Sequence, residues 1–121
     1  MLSDDLEVRQ ARAAKNQSLF RDVNEQIEKL HERFEREQAR SEIAAFVCEC
    51  ANEHCTEQIG LSLDEYEAVR RIPTHFLVCR GHNIPEVERV VAEQDGFVVV
   101  EKFGVAGAAA VRLDPRRRSA S

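Results

Sequence analysis

The chain has 121 residues, 43% of them hydrophobic, and a formal net charge of −5, enough for one small domain with an appendage. Its acidic start, Met-Leu-Ser-Asp-Asp-Leu-Glu-Val, lacks the apolar core of a signal peptide, and no stretch reaches membrane-span length, so a soluble, cytoplasmic protein is expected. Residues 46–103 carry eleven acidic against five basic side chains and residues 104–121 four basic against one acidic, which makes the middle of the chain a poor surface for a phosphate backbone.

From Asp4 to about Gln38 there is neither Gly nor Pro, and most residues are good helix formers. Leu6, Arg9, Ala13, Asn16, Phe20, Val23, Ile27, Leu30 and Phe34 follow at alternating steps of three and four, a heptad seam strongest from Phe20 to Phe34. A helix of about 30 residues is on the order of 45 Å long, more than the following domain can cover. Residues 1–42 are therefore expected to form a helix that pairs with itself or docks on another protein. The alternative is that it packs back on its own domain. Asn16 would suit a register-setting polar layer in a dimer.

Phe46-Val-Cys-Glu-Cys50 predicts a strand ending in a turn, and Thr56–Leu61 an extended segment pairing back on it. Ser62-Leu-Asp-Glu65 is a capping box, with Leu61 and Tyr66 placed as a hydrophobic staple. Asp64 and Glu65 suit the positive end of the helix dipole, Arg70 and Arg71 the negative end, and Pro73 stops the helix, which predicts a helix over 63–71. Thr74–Arg80 reads as a strand closed by Gly81. Asp95-Gly96 between two β-branched runs signals a type I′ hairpin of strands 87–93 and 97–103. The segment 104–121, small residues followed by Pro-Arg-Arg-Arg, is expected to be a flexible basic tail.

Three of the four cysteines fall in Cys48-Glu-Cys50-Ala-Asn-Glu-His-Cys55, and the fourth in Cys79-Arg-Gly-His82. Clustered thiols in a reducing compartment are metal ligands or redox groups rather than permanent disulfides. A core of under sixty residues is marginal on burial alone, and a structural zinc ion would supply the missing cross-link. Cys48, Cys50 and Cys55 are the expected ligands. Cys79 shares a strand face with Leu77, as a buried free thiol does, whereas the turn at Gly81 can aim His82, so His82 is the preferred fourth ligand and Cys79 the alternative. His54 is too close to Cys55 to complete a tetrahedron, and His75 reads as an edge residue. A redox switch pairing Cys55 with Cys79 is the second reading, disfavoured because neighbouring Glu49, Glu53 and Glu57 would raise a thiol pKa.

Catalytic zinc signatures and Gly-rich phosphate loops are absent from the sequence, and three thiolates with one imidazole make a closed, electron-rich site, so no enzyme is expected. Phe46-Val-Cys-Glu-Cys…Cys55, Leu63-x-x-Tyr66-Glu-x-Val-Arg70, Pro73-Thr-x-Phe76, Gly81-His82-x-x-Pro85-Glu-x-Glu88-x-Val90-Val91 and Val99-Val-Glu-Lys102 resemble a family of small actinobacterial proteins that open with a helix similar to Asn16–Glu25. The likeness spans about residues 16 to 102. In that family the three cysteines and the Gly-His pair recur while the Cys79 position varies, so the resemblance implies His82 as a ligand and brings no activity with it.

The sequence thus predicts an α+β protein: a long N-terminal helix (1–42), a small zinc-stabilised antiparallel β domain with one short helix (43–103), and a tail. Its expected role is a non-enzymatic, regulatory protein-interaction module engaging itself or another protein through Phe20, Val23, Ile27, Leu30 and Phe34. The alternatives are a nucleic-acid-associated transcriptional regulator, using Arg116, Arg117 and Arg118 with Arg9, Arg12 and Lys15, and a thiol-based redox or metal sensor.

Overall fold

Helix α1 runs unbroken from Leu2 to Phe34 in the computed structural model, which describes residues 2–34 and 42–116. The architecture is α+β: β1 (Ile43–Val47), β2 (Gln58–Ser62), α2 (Leu63–Arg70), β3 (His75–Val78), β4 (Glu88–Gln94), β5 (Phe97–Lys102) and α3 (Gly104–Arg112) follow α1. β1 and β2 form a two-stranded antiparallel ladder with Phe46 opposite Ile59. The other three strands form an antiparallel sheet in the order β3-β5-β4. β5 lies in its centre, and Phe97-Val-Val-Val100 is buried without alternation, as in a strand covered on both faces.

Local chemistry explains most boundaries. The Ser62 hydroxyl accepts from the Glu65 amide at 3.1 Å and the Glu65 carboxylate accepts from the Ser62 amide at 2.8 Å, a complete capping box that turns β2 directly into α2. Between β4 and β5 only Gly96 (φ +89°) is left-handed. Asp95 keeps a negative φ, so the turn is not the type I′ expected. A register shift between Val90 and Ala92 interrupts the same hairpin, a feature that adds local twist. Phe46 stacks on Tyr66 with ring centroids 4.5 Å apart, and Leu61, Leu63, Phe76, Leu77 and Val100 complete the centre of the core.

The tail does not begin at residue 104. α3 occupies Gly104–Arg112, and Ala106, Gly107, Ala109 and Ala110 are buried. The helix owes its position to small side chains: a Cβ at Gly107 would meet the Lys102 carbonyl oxygen at 2.8 Å. Arg116, expected in the solvated tail, is fixed by Glu25 (2.7 Å), Glu28 (3.2 Å) and Glu67. Residues 117–121, including Arg117 and Arg118, lie outside the described part, as do residues 35–41 at the expected domain boundary.

α1 packs on the rest of the chain through a face that is largely polar. Ala14, Gln17, Arg21, Asn24, Glu25 and Glu28 are buried, whereas Val23 and Leu30 of the expected seam are exposed. Phe20 is half-buried, and Ile27 packs against the core. Phe34 closes the helix, its side chain lying outside the described residues. The domain face under α1 carries charge, so the helix meets it with partners. Arg70 donates to Glu25 at 2.7 Å and to Asp114 at 2.5 Å. Lys102 and Gln17 both donate to Glu88, at 2.6 and 2.7 Å.

Burial, with a hydrogen bond to Glu67, raises the Glu28 carboxyl to about 8. A carboxyl whose pKa is higher in the folded chain stabilises the fold while protonated. That contribution is complete below its ordinary value of 4.5 and is lost as pH rises through about 8. The wild-type chain is therefore expected to lose stability relative to Glu28→Gln between pH 5 and 9, measured as the difference in urea midpoints at each pH.

Candidate metal centre

β1 ends at Val47, and Cys48, Glu49 and Cys50 continue as irregular chain. Two backbone bonds fix this segment: Cys48 N–H donates to the Glu57 carbonyl at 3.0 Å and Glu49 N–H to the Leu77 carbonyl at 2.7 Å. Glu49 turns toward Asn24, Tyr66 and Leu77, while the buried flanking cysteines turn toward Cys55 and His82. The loop then closes on Asn52. Its side-chain oxygen accepts from His54 N–H, and its carbonyl accepts from Cys55 N–H, both at 3.0 Å, a turn that Asn favours because its side chain substitutes for backbone. The other half comes from the end of β3. His82 N–H donates to the Cys79 carbonyl at 3.0 Å across a turn in which Gly81 has φ +84°, the third-position geometry that a type II turn reserves for glycine.

These two turns bring Cys48, Cys50, Cys55 and His82 together, with their ligand atoms within 4.8 Å of one another. His82 Nδ1 lies 3.6 Å from Cys48 Sγ and 3.7 Å from Cys55 Sγ. A tetrahedral zinc ion with Zn–S near 2.3 Å and Zn–N near 2.0–2.1 Å holds nitrogen and sulfur about 3.6 Å apart. Two nitrogen–sulfur edges of such a tetrahedron are thus already in place, within a cluster whose ligand atoms lie within 4.8 Å of one another. Cys48 and Cys50 are buried and Cys55 and His82 half-buried.

Cys79 lies beside the four and contributes differently. Its backbone N–H donates to Cys48 Sγ at 3.3 Å, a bond that would stabilise a thiolate there. His54 is exposed and pairs with Glu53 at 3.5 Å, and His75 pairs with Glu101 at 3.2 Å on the three-stranded sheet. Two of the thiols resist ionisation. A hydrogen bond with Cys48, together with burial, pushes Cys50 above its ordinary range, and burial does the same to Cys55. A metal must therefore displace protons to bind, and its affinity falls as pH falls.

Glu49 was legible in the sequence only as a nearby acid. The structure buries it completely. One carboxylate oxygen accepts from Asn24 Nδ2 at 2.8 Å and Tyr66 O–H at 3.0 Å, and the other from Leu77 N–H at 3.0 Å. Burial raises its pKa, opposed by the Asn24 and Leu77 hydrogen bonds and by Arg21 and Arg70. Asn24 also pairs with both backbone groups of Val47, at 2.8 Å each, and Asn16 Nδ2 donates to the Ala51 carbonyl at 3.2 Å. Asn16, expected on a dimer seam, instead holds the loop between Cys50 and Cys55. The one sequence signal for Glu49 was its place between two cysteines that share a side.

Compared with known protein families, curated proteins and solved structures, the chain gives no match. The four-residue cluster therefore rests on its own geometry: three sulfurs and one imidazole nitrogen, a soft donor set suited to a closed tetrahedral site.

Proposed function

We propose that this chain is a zinc-stabilised, non-enzymatic protein-interaction module, regulatory in role, that engages another protein or a second copy of itself through α1. The observation that carries the reading is the outer face of that helix, where Leu19 (56%), Val23 (45%) and Leu30 (54%) are exposed. They lie on a helix whose other face is locked down by hydrogen bonds to four elements and their loops. Scattered apolar residues need no explanation, but three on one stripe of a fixed helix support a contact surface there.

Zinc is the metal that three thiolates and an imidazole favour in four-coordinate geometry. Four protein donors fill that geometry and leave no position for water or substrate, which supports a structural ion and a non-catalytic role. The resemblance to the actinobacterial Cys-x-Cys-x4-Cys…Gly-His proteins supports the same ligand set. Thiolate ligation suits a reducing cytoplasm. No helix among the described residues is long and apolar enough to cross a membrane. The nucleic-acid reading is weakened at Arg116, whose guanidinium is paired with Glu25, Glu28 and Glu67.

A photo-crosslinking residue at Val23 or Leu30, in the full chain expressed in its own cell, tests the proposal. The expected result is one discrete adduct, with a single protein or with itself, lost when Leu19→Glu is added. A chain that gives no adduct from either position, metal-loaded or metal-free, defeats it.

A further inference from the structure

The seam read from the sequence and the face that α1 buries lie on different sides of one helix. Ala14, Gln17, Arg21, Asn24 and Glu28 face the domain. At 3.6 residues per turn the centre of the Phe20–Val23–Ile27–Leu30 seam is about 120° round the helix from the centre of that face. Docking consequently splits the seam. Phe20 and Ile27 are drawn to the margin of the interface, and Val23 and Leu30 point away. Only a helix off its domain presents all of them, with Phe34 next in sequence, as one stripe.

What holds α1 down depends on position more than on buried apolar area, and much of it lands on the ligand segment. Asn24 grips Val47 and Glu49 at 2.8 Å, and Asn16 grips Ala51 at 3.2 Å. Those three residues flank Cys48 and Cys50, whose placement a bound ion would fix. Hydrogen bonds lose their value within a few tenths of an ångström, so a loosened ligand loop releases both asparagines at once. The same interface already leaves Gln17 Oε1, Ser18 Oγ and Arg21 Nε buried without a hydrogen-bond partner, groups that water would satisfy once the helix lifts.

We propose that occupancy of the metal site governs whether α1 stays docked, and that on metal loss the freed helix pairs with a second copy of this chain through Phe20, Val23, Ile27, Leu30 and Phe34. The inference rests on the zinc and interaction readings above. The partner is another copy because of where the charges fall. Arg21, Asp22, Glu25, Glu28, Lys29 and Glu32 all occupy outer heptad positions, whereas the positions flanking the seam from 17 to 26 are Gln17, Leu19, Asn24 and Gln26. Two identical helices can therefore meet there without like-charge contact, and Asn16 on the seam gives each copy a polar partner.

The test is sedimentation velocity of the full chain, first with zinc and then after chelation under a phosphine reductant, with zinc content and far-ultraviolet circular dichroism measured in parallel. The expected result is a monomer with zinc, a twofold mass without it, and reversal when zinc is restored. Leu30→Glu, exposed in the docked form, should leave the zinc-loaded monomer unchanged and block the doubling. If zinc leaves and the mass stays monomeric, or if Leu30→Glu associates as the wild type does, the inference is overturned. A chain that binds no zinc at all overturns the metal reading itself, a result the zinc assay reports separately.

Discussion

Cys48→Ser is expected to abolish stoichiometric zinc binding and to remove the cooperative unfolding transition of the β domain at 25 °C. Structural zinc in small domains contributes about 10–16 kcal/mol of apparent binding energy, while a whole domain is stable by only about 5–15 kcal/mol. Losing the ion therefore removes an amount comparable to the entire stability. Cys48 is the ligand where the loss should be greatest. It is buried, lies 3.6 Å from His82 Nδ1, and receives the Cys79 amide. His82→Ala should bind zinc more weakly, with three thiolates and an open position. Cys79→Ser should keep both the metal and the transition, because position 79 serves through its backbone, which serine retains. Metal content per chain and thermal melts of the three variants check the series. A Cys48→Ser chain that melts like the wild type would show that the cluster carries no ion that matters to the fold.

The parts of this architecture that were legible in the sequence are those whose causes are local. The capping box at Ser62–Glu65, the Asp-Gly hairpin and the Gly-His turn each need only neighbouring residues to explain them, and each forms where expected. The four-residue cluster was readable for a related reason. Soft ligands are scarce, and the turn at Gly81 favoured His82 over Cys79, the alternative, as the fourth donor to the Cys48–Cys55 loop.

What stayed hidden depends on partners distant in the chain. Arg21 looks like a surface residue until Pro73 and Ala110, 52 and 89 positions away, supply acceptors. Apolar periodicity marked the Phe20–Phe34 seam and gave no sign of the polar face of α1 that packs on the domain, because the domain beneath it is charged, and a charged surface is covered best by polar side chains. α3 went unseen because it lacks a side-chain cap and its alanines offer little area. Its stability comes from close approach, which composition does not report.

Arg21→Ala is expected to destabilise the chain by about 3–5 kcal/mol, the usual penalty for removing one member of a buried charged set. The Arg21 side chain is fully buried. It donates to the Pro73 carbonyl at 2.6 Å and the Ala110 carbonyl at 2.9 Å, and its guanidinium lies 4.0 Å from the centre of the Phe76 ring. Burial and the nearby Arg70 lower its pKa, while Glu49 and Asp114 favour its charge. A guanidinium nevertheless stays protonated in proteins, so the charge is permanent and must be neutralised in place. Truncation leaves two carbonyls facing a cavity and leaves Glu49 with one fewer compensating charge. Arg21→Lys keeps the charge, but a single ammonium lacks the planar fork that spans both carbonyls, and about half the penalty should remain. Arg21→Met fills the space and costs about 1–3 kcal/mol for the acceptors left unpaired. The order Ala, then Lys, then Met in urea midpoints would show that volume and acceptor satisfaction hold α1 in place. Equal loss in Lys and Ala would assign the role to the fork geometry alone. Because Arg21 joins α1 to the Pro73 turn and to α3, amide exchange along α1 should accelerate in all three variants before that of β5 does.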